Sequence, residues 1–198
     1  MEKDEYKILN NNKNLIVCFG GLLLSMDGIP PFEFLRYLSS IYTNSCDLYF
    51  YIDRKQCWYH KGIHNITNNI QDTVTYLKDI IKNYEKVIFM GTSAGGYAAI
   101  LFGSLCNVTN VVSFIPQTIL DNPIRPKYKN LKQIINNNTQ YLLYGDTSKN
   151  VNNLHHIRHC NNLQEFKNVN IIKQHNCVLK KLRDDGVIKK IIDDIIIK

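Results

Sequence analysis

The sequence predicts an α/β fold: a three-layer, doubly wound, mostly parallel sheet of about six strands with helices on both faces. Three observations carry this. Short apolar runs alternate with segments of helical periodicity along the whole chain, which implies right-handed crossovers and parallel strands. The runs are nearly continuous in Val, Ile and Phe, as strands buried on both faces must be. No internal repeat, linker or break in composition divides residues 1–198, so a single domain is expected.

The elements follow in order. The first strand is Leu15-Ile-Val-Cys-Phe, closing on Gly20-Gly21. Pro30-Pro31 opens a helix over 32–42, with Phe34, Leu35, Leu38 and Ile41 at helical spacing. Asp47-Leu-Tyr-Phe-Tyr-Ile-Asp53 is the second strand. A loop holding Trp58 and Tyr59 then leads to an amphipathic helix, with Ile70, Val74, Leu77, Ile81 and Tyr84 on one face. Lys86-Val-Ile-Phe-Met90 is the third strand, and 93–105 a helix rich in small residues. A fourth strand over 108–115 precedes a Pro-bearing loop to Pro126, a short helix over 131–135 and a fifth strand over 140–144. Leu154, Ile157 and Cys160 suggest another helix, 169–173 a sixth strand, and 178–197 a closing helix interrupted near Gly186.

Composition excludes several classes. With 44% hydrophobic and 21% charged residues the chain can bury a core, so wholesale disorder is ruled out. Its apolar runs fall far short of the roughly 20 residues of a membrane span, so no membrane partner is expected. The start, Met1-Glu-Lys-Asp-Glu-Tyr-Lys, carries both signs of charge and has no apolar signal region. The expectation is a soluble, cytoplasmic protein. Six cysteines form no Cys-x-x-Cys pair and read as reduced. The net charge is +7, but 19 of the 24 cationic side chains are Lys and they are dispersed. The densest run, Lys180-Lys-Leu-Arg, ends in Asp184-Asp-Gly, so a solvated surface is read rather than a nucleic-acid partner. His155 and His159, like His156 and Cys160, are i,i+4 pairs, yet no third ligand lies near. Neither metal nor cofactor is implied, and no oligomeric state.

Doubly wound sheets bind ligands outside the carboxyl ends of their strands. That rim gathers Gly20-Gly21, Asp53, Gly91 to Gly95, Gln117, Asp146 and His175. Gly91-Thr-Ser-Ala-Gly95 fits G-x-S-x-G between an apolar strand and a helix. This spacing holds a serine on a strained turn, where side chains at the flanking positions would meet neighbouring backbone. The helix that follows aims its N-terminal N–H groups at developing negative charge. Asp53, Trp58 and Gln117 follow strands on the same rim and are candidate pocket residues.

Gly91-Thr-Ser-Ala-Gly-Gly-Tyr-Ala-Ala resembles the nucleophile elbow of the α/β-hydrolase family, and Phe19-Gly-Gly-Leu22 resembles the loop after that family's third strand. The resemblance spans nearly the whole chain from Leu15, without the family's first two strands. It implies Ser93 as nucleophile and the Ala94 and Gly21 amides as oxyanion hole. His175, just past the sixth strand, stands where the family keeps its general base. His155, His156 and His159 fall inside a predicted helix and rank lower. Where the family usually has its acid this chain has Ser148; Asp146 is the nearest carboxylate, Asp121 the fallback, and a dyad without carboxylate the third possibility. The tail from His175 to Gly186 resembles small bacterial and viral hydrolases encoded near glycan-synthesis genes.

The resulting expectation is a serine esterase or thioesterase acting through an acyl-enzyme. Only residues 116–139 separate the fourth and fifth strands, so no large lid is expected. Small acyl groups, on a small molecule or a glycan, therefore fit better than long buried chains. An acyltransferase on the same scaffold and a non-catalytic binding protein are the alternatives.

Overall fold

Alternation within the strands sorts the apolar side chains into two cores. In the computed structural model, which describes residues 4–24, 32–120 and 127–197, Leu15, Val17 and Phe19 face one core and Ile16 and Cys18 the other. The described strands are β1 (Glu5–Ile8), β2 (Asn14–Phe19), β3 (Cys46–Tyr51), β4 (Lys86–Thr92), β5 (Asn110–Phe114), β6 (Gln140–Asp146) and β7 (Val169–Gln174). They lie in the order β1-β3-β2-β4-β5-β6-β7. Every pairing from β3 through β7 is parallel; β1 is antiparallel to β3.

The first core is covered by α2 (Ile70–Ile81) and α3 (Ala94–Cys106). The second is covered by α1 (Leu35–Ile41), α5 (Leu179–Asp184) and α6 (Val187–Ile197). This is the three-layer doubly wound architecture expected from the sequence. The interruption of the closing helix falls at Gly186, whose φ of 74° ends α5 and lets α6 start in a new direction. The basic run there is neutralised locally, Lys180 by Asp184 and Lys181 by Asp185. All six thiols are free, five of them buried. Among the described residues, no helix is long and apolar enough to cross a membrane.

The sheet has seven strands rather than about six. The added one, β1, alternates Glu5 and Lys7 with Tyr6 and Ile8. Charge at this position reads as a solvated tail, but it is also what an edge strand carries to discourage pairing with other chains.

The chain continues from β2 into β3 on one side, while β4 lies on the other, so the order reverses between β2 and β4. The carboxyl ends of these two strands, Gly20-Gly21 and Thr92-Ser93, therefore meet at a topological switch point. Their closeness depends on glycine. A Cβ on Gly95 would lie 2.0 Å from the Phe19 carbonyl oxygen, a backbone atom that cannot swing aside. Gly95→Ala is expected to cost about 3 kcal/mol or more through overpacking, read as a lowered denaturation midpoint in urea.

Candidate active site

Strand β4 delivers Ser93 to the switch point, and the backbone there is strained. Ser93 has φ 57° and ψ −117°, outside the regions that side chains ordinarily allow. Two backbone bonds hold the turn: Ser93 N–H donates to Phe114 O at 2.9 Å, and Tyr97 N–H donates to Ser93 O at 2.9 Å. The hydroxyl is thus presented at the N-terminus of α3, as the G-x-S-x-G spacing requires. Gly21 borders the same turn, its missing Cβ pointing toward Thr92 O at 3.6 Å. Ala94 is the first residue of α3.

The imidazole that meets this hydroxyl is His155, with Nε2 at 2.8 Å from Ser93 Oγ. The structure corrects the expectation for His175, which is exposed in the turn after β7. The reason lies in how the chain leaves β6. The helix expected around 154–160 is shorter, α4 (Arg158–Asn161). Before it, Asn side chains fold residues 150–156 into turns: Asn150 Oδ1 accepts from Asn152 N–H and Asn153 Oδ1 from His155 N–H. Ile157 N–H then donates to Asp146 O at 2.8 Å, and His156 bridges to Asp146, so the loop is drawn back onto the end of β6. His155 arrives over Ser93 as a result. His156 Nδ1 accepts from Arg158 N–H, and His159 is fully buried, with Thr118 Oγ1 donating to its carbonyl.

Asp146 is only 1% exposed. Its carboxylate accepts from the Ser148 N–H and hydroxyl and from the Asn176 and Cys177 amides, clasping the loop after β6 to the loop after β7. Burial alone would raise its pKa, but these donors hold it below the usual carboxylate range. It reaches His155 through its charge: burial pushes the imidazole below its ordinary 6.5, Lys149 pushes the same way, and Asp146 opposes them. Asp121 lies outside the described residues.

The three candidate pocket residues separate. Asp53, 1% exposed, lies beneath the loop after β3 rather than in a pocket. Its Oδ2 accepts from the Cys57 and Tyr59 amides, and burial raises its pKa against them. That correction follows from its place at the strand end, where a short acceptor organises the next turn. The loop it organises sends Trp58 Nε1–H to Gln117 Oε1 at 2.5 Å. Gln117 Nε2–H in turn donates to Ser93 Oγ at 3.2 Å. Trp58 and Gln117 are therefore at the site. Among the described residues, no group of three or more His, Cys, Asp or Glu side chains could hold a metal ion.

A parallel sheet with its order reversed beside a strained serine, and an imidazole on that serine, define the α/β-hydrolase fold with a serine–histidine pair on its rim. No protein-family model matches the sequence, and no curated protein matches it. Among solved structures, the chain is similar to the capsule O-acetyltransferase of Neisseria meningitidis serogroup A, with 16% identity and a TM-score of 0.62 over 94% of this chain and 88% of that one. A histidine variant of that enzyme in complex with CoA gives 16% and 0.60 over 91% and 87%. The chain is also similar to the Paleococcus ferrophilus monoacylglycerol lipase, with 11% identity and a TM-score of 0.64 over 99% of each chain. An α/β hydrolase enzyme from the metagenome of Mar Chica lagoon sediments gives 12% and 0.62 over 98% of this chain and 96% of that one. At such identities the likeness establishes the fold.

The charges around His155 fix a pH dependence. A general base must be neutral, so activity relying on it rises as pH climbs through its pKa. That limb is expected below pH 6.5. Lys149→Gln removes a repelling cation and should move the limb to higher pH. Asp146→Asn removes the opposing anion and should move it lower. Initial rates between pH 4 and 8 would check all three.

Proposed function

We propose that the protein is a serine hydrolase that cleaves a small-acyl ester or thioester through an acyl-enzyme on Ser93. The 2.8 Å contact between Ser93 Oγ and His155 Nε2 at a strained turn carries this reading. In acylation Oγ bonds to the substrate carbonyl carbon while its proton passes to His155 Nε2. The amides of Ala94 and Gly21 hold the oxyanion. Collapse breaks the bond to the leaving oxygen or sulfur, which takes the proton from His155. Water then attacks the acyl carbon, gives its proton to His155, and Oγ recovers it. Asp146, through its charge, favours the imidazolium formed in each half.

The short connection between β5 and β6, residues 115–139, supports small acyl groups on a small-molecule or glycan carrier. A second reading, an acyltransferase in which an alcohol replaces water, is supported by the likeness to the capsule O-acetyltransferase and its CoA complex. The test is covalent. A fluorophosphonate should add to Ser93 in the native chain and not in Ser93→Ala, read by peptide mass. An unlabelled native chain would overturn the enzymatic reading in favour of a binding protein. Product analysis of acetyl-CoA turnover, with and without a sugar alcohol, separates hydrolysis from transfer.

A further inference from the structure

Backbone strain is concentrated around one oxygen. Leaving aside Asn, which tolerates the left-handed region, five described residues with side chains have positive φ: Gln56, Trp58, Tyr59, Ser93 and Ile115. Ser93 is the elbow itself. Gln56, Trp58 and Tyr59 lie in the loop that presents the indole, and Ile115 lies two residues before Gln117. For β-branched Ile115, φ 42° is a severe outlier. Strain of about 1–3 kcal/mol per residue persists only where surrounding structure imposes it, and here the three strained segments meet through side-chain hydrogen bonds.

The bonding order can be deduced. An indole N–H only donates, so Gln117 must turn its oxygen to Trp58 and its NH₂ to Ser93. Ser93 Oγ then accepts from Gln117 while its own proton is free for His155 Nε2. The Trp58 loop is itself pinned. Asp53 takes its amides, and His60 stacks on the Tyr97 ring at 5.7 Å between centroids. Tyr97 gives its hydroxyl proton to Tyr128 O, so His60 Nε2 donates to Tyr97; burial keeps that imidazole neutral, with its pKa lowered to about 4.

We propose that Gln117 is a further catalytic residue, a side-chain donor to the Ser93 oxygen, and that Trp58 is the positioning residue fixing which end of its amide faces that oxygen. The proposal rests on the serine-hydrolase reading. Its benefit falls at two moments. As the proton leaves Ser93, negative charge grows on Oγ, and the buried N–H bond strengthens with it. In deacylation Oγ is the leaving group and meets the same donor again. Without the indole the amide is free to rotate and offer its oxygen, which repels the growing charge.

The experiment compares p-nitrophenyl acetate hydrolysis in the native chain, Gln117→Met, Gln117→Glu, Trp58→Phe and the Trp58→Phe/Gln117→Met double variant, alongside fluorophosphonate labelling. Loss of one such donor is expected to lower kcat about 100-fold in Gln117→Met, with KM changed far less. Trp58→Phe should lower kcat in the same manner, and the double variant should be no worse than Gln117→Met, because Trp58 acts through the amide. Gln117→Glu keeps the shape but adds an anion near His155, so the acidic limb should move to higher pH. That shift reports only where the Gln117 side chain lies; the kcat loss in Gln117→Met with little change in KM is the readout that a merely structural role would not give. An active native chain with unchanged kcat in Gln117→Met, or independent multiplying losses in the double variant, would overturn the proposal while leaving the serine reading intact. A native chain that neither labels nor turns over would overturn both.

Discussion

Ser93→Ala is expected to lower kcat for ester cleavage on the order of 10⁶-fold, the scale of losing a catalytic unit rather than one bond. Ser93 Oγ accepts from Gln117 and meets His155, so its removal leaves both partners without a reacting atom. The companion substitution Ser93→Gly tests the cost of the elbow. Glycine adopts φ 57° without penalty, so this variant should be inactive yet more stable by about 1 kcal/mol or more. Initial rates and urea denaturation of both variants would check this. An inactive but destabilised Ser93→Gly would show that the strain is not relieved there.

The second large effect separates two histidines. On the proposed mechanism, His155→Ala should lower kcat by about 10⁴-fold or more, since His155 is the imidazole hydrogen-bonded to Ser93 Oγ. His175→Ala should stay within a few-fold of native, because His175 is exposed beyond β7. The same rate assay reads both, and the reverse pattern would reassign the base. His155→Ala removes no core packing, so equal folding stability should accompany the lost rate.

These two histidines show where sequence reading succeeds and where it stops. The elbow was legible because its chemistry is local. Gly91, Ser93 and Gly95 sit within one turn, and the Phe19 carbonyl against Gly95 enforces the pattern. The six central strands were legible for a similar reason, since burial on both faces writes itself as a run of Val, Ile and Phe. The base was not. The spacing of Leu154, Ile157 and Cys160 predicts a helix that includes His155, whereas side-chain acceptors on Asn150 and Asn153 win the local competition and make turns. Those asparagines, in the run Asn150-Val-Asn-Asn153, were the available signal.

Asp53 and Gln117 divide along the same line. Both stand just past a strand, and nothing in their spacing tells a residue that caps a loop from one that reaches Ser93. The distinction comes from the loop after β5, which carries Gln117 to Ser93, and from Trp58 arriving from another loop to hold it.

By itself the sequence determined the layered sheet, the rim at the strand carboxyl ends and the strained serine, because periodicity and glycine spacing act over a few residues. The tertiary structure alone decided which histidine, which carboxylate contacts and which amide surround that serine. Those partners lie far apart in the chain and are brought together by loops, whose paths follow from competing hydrogen bonds and not from a repeating pattern.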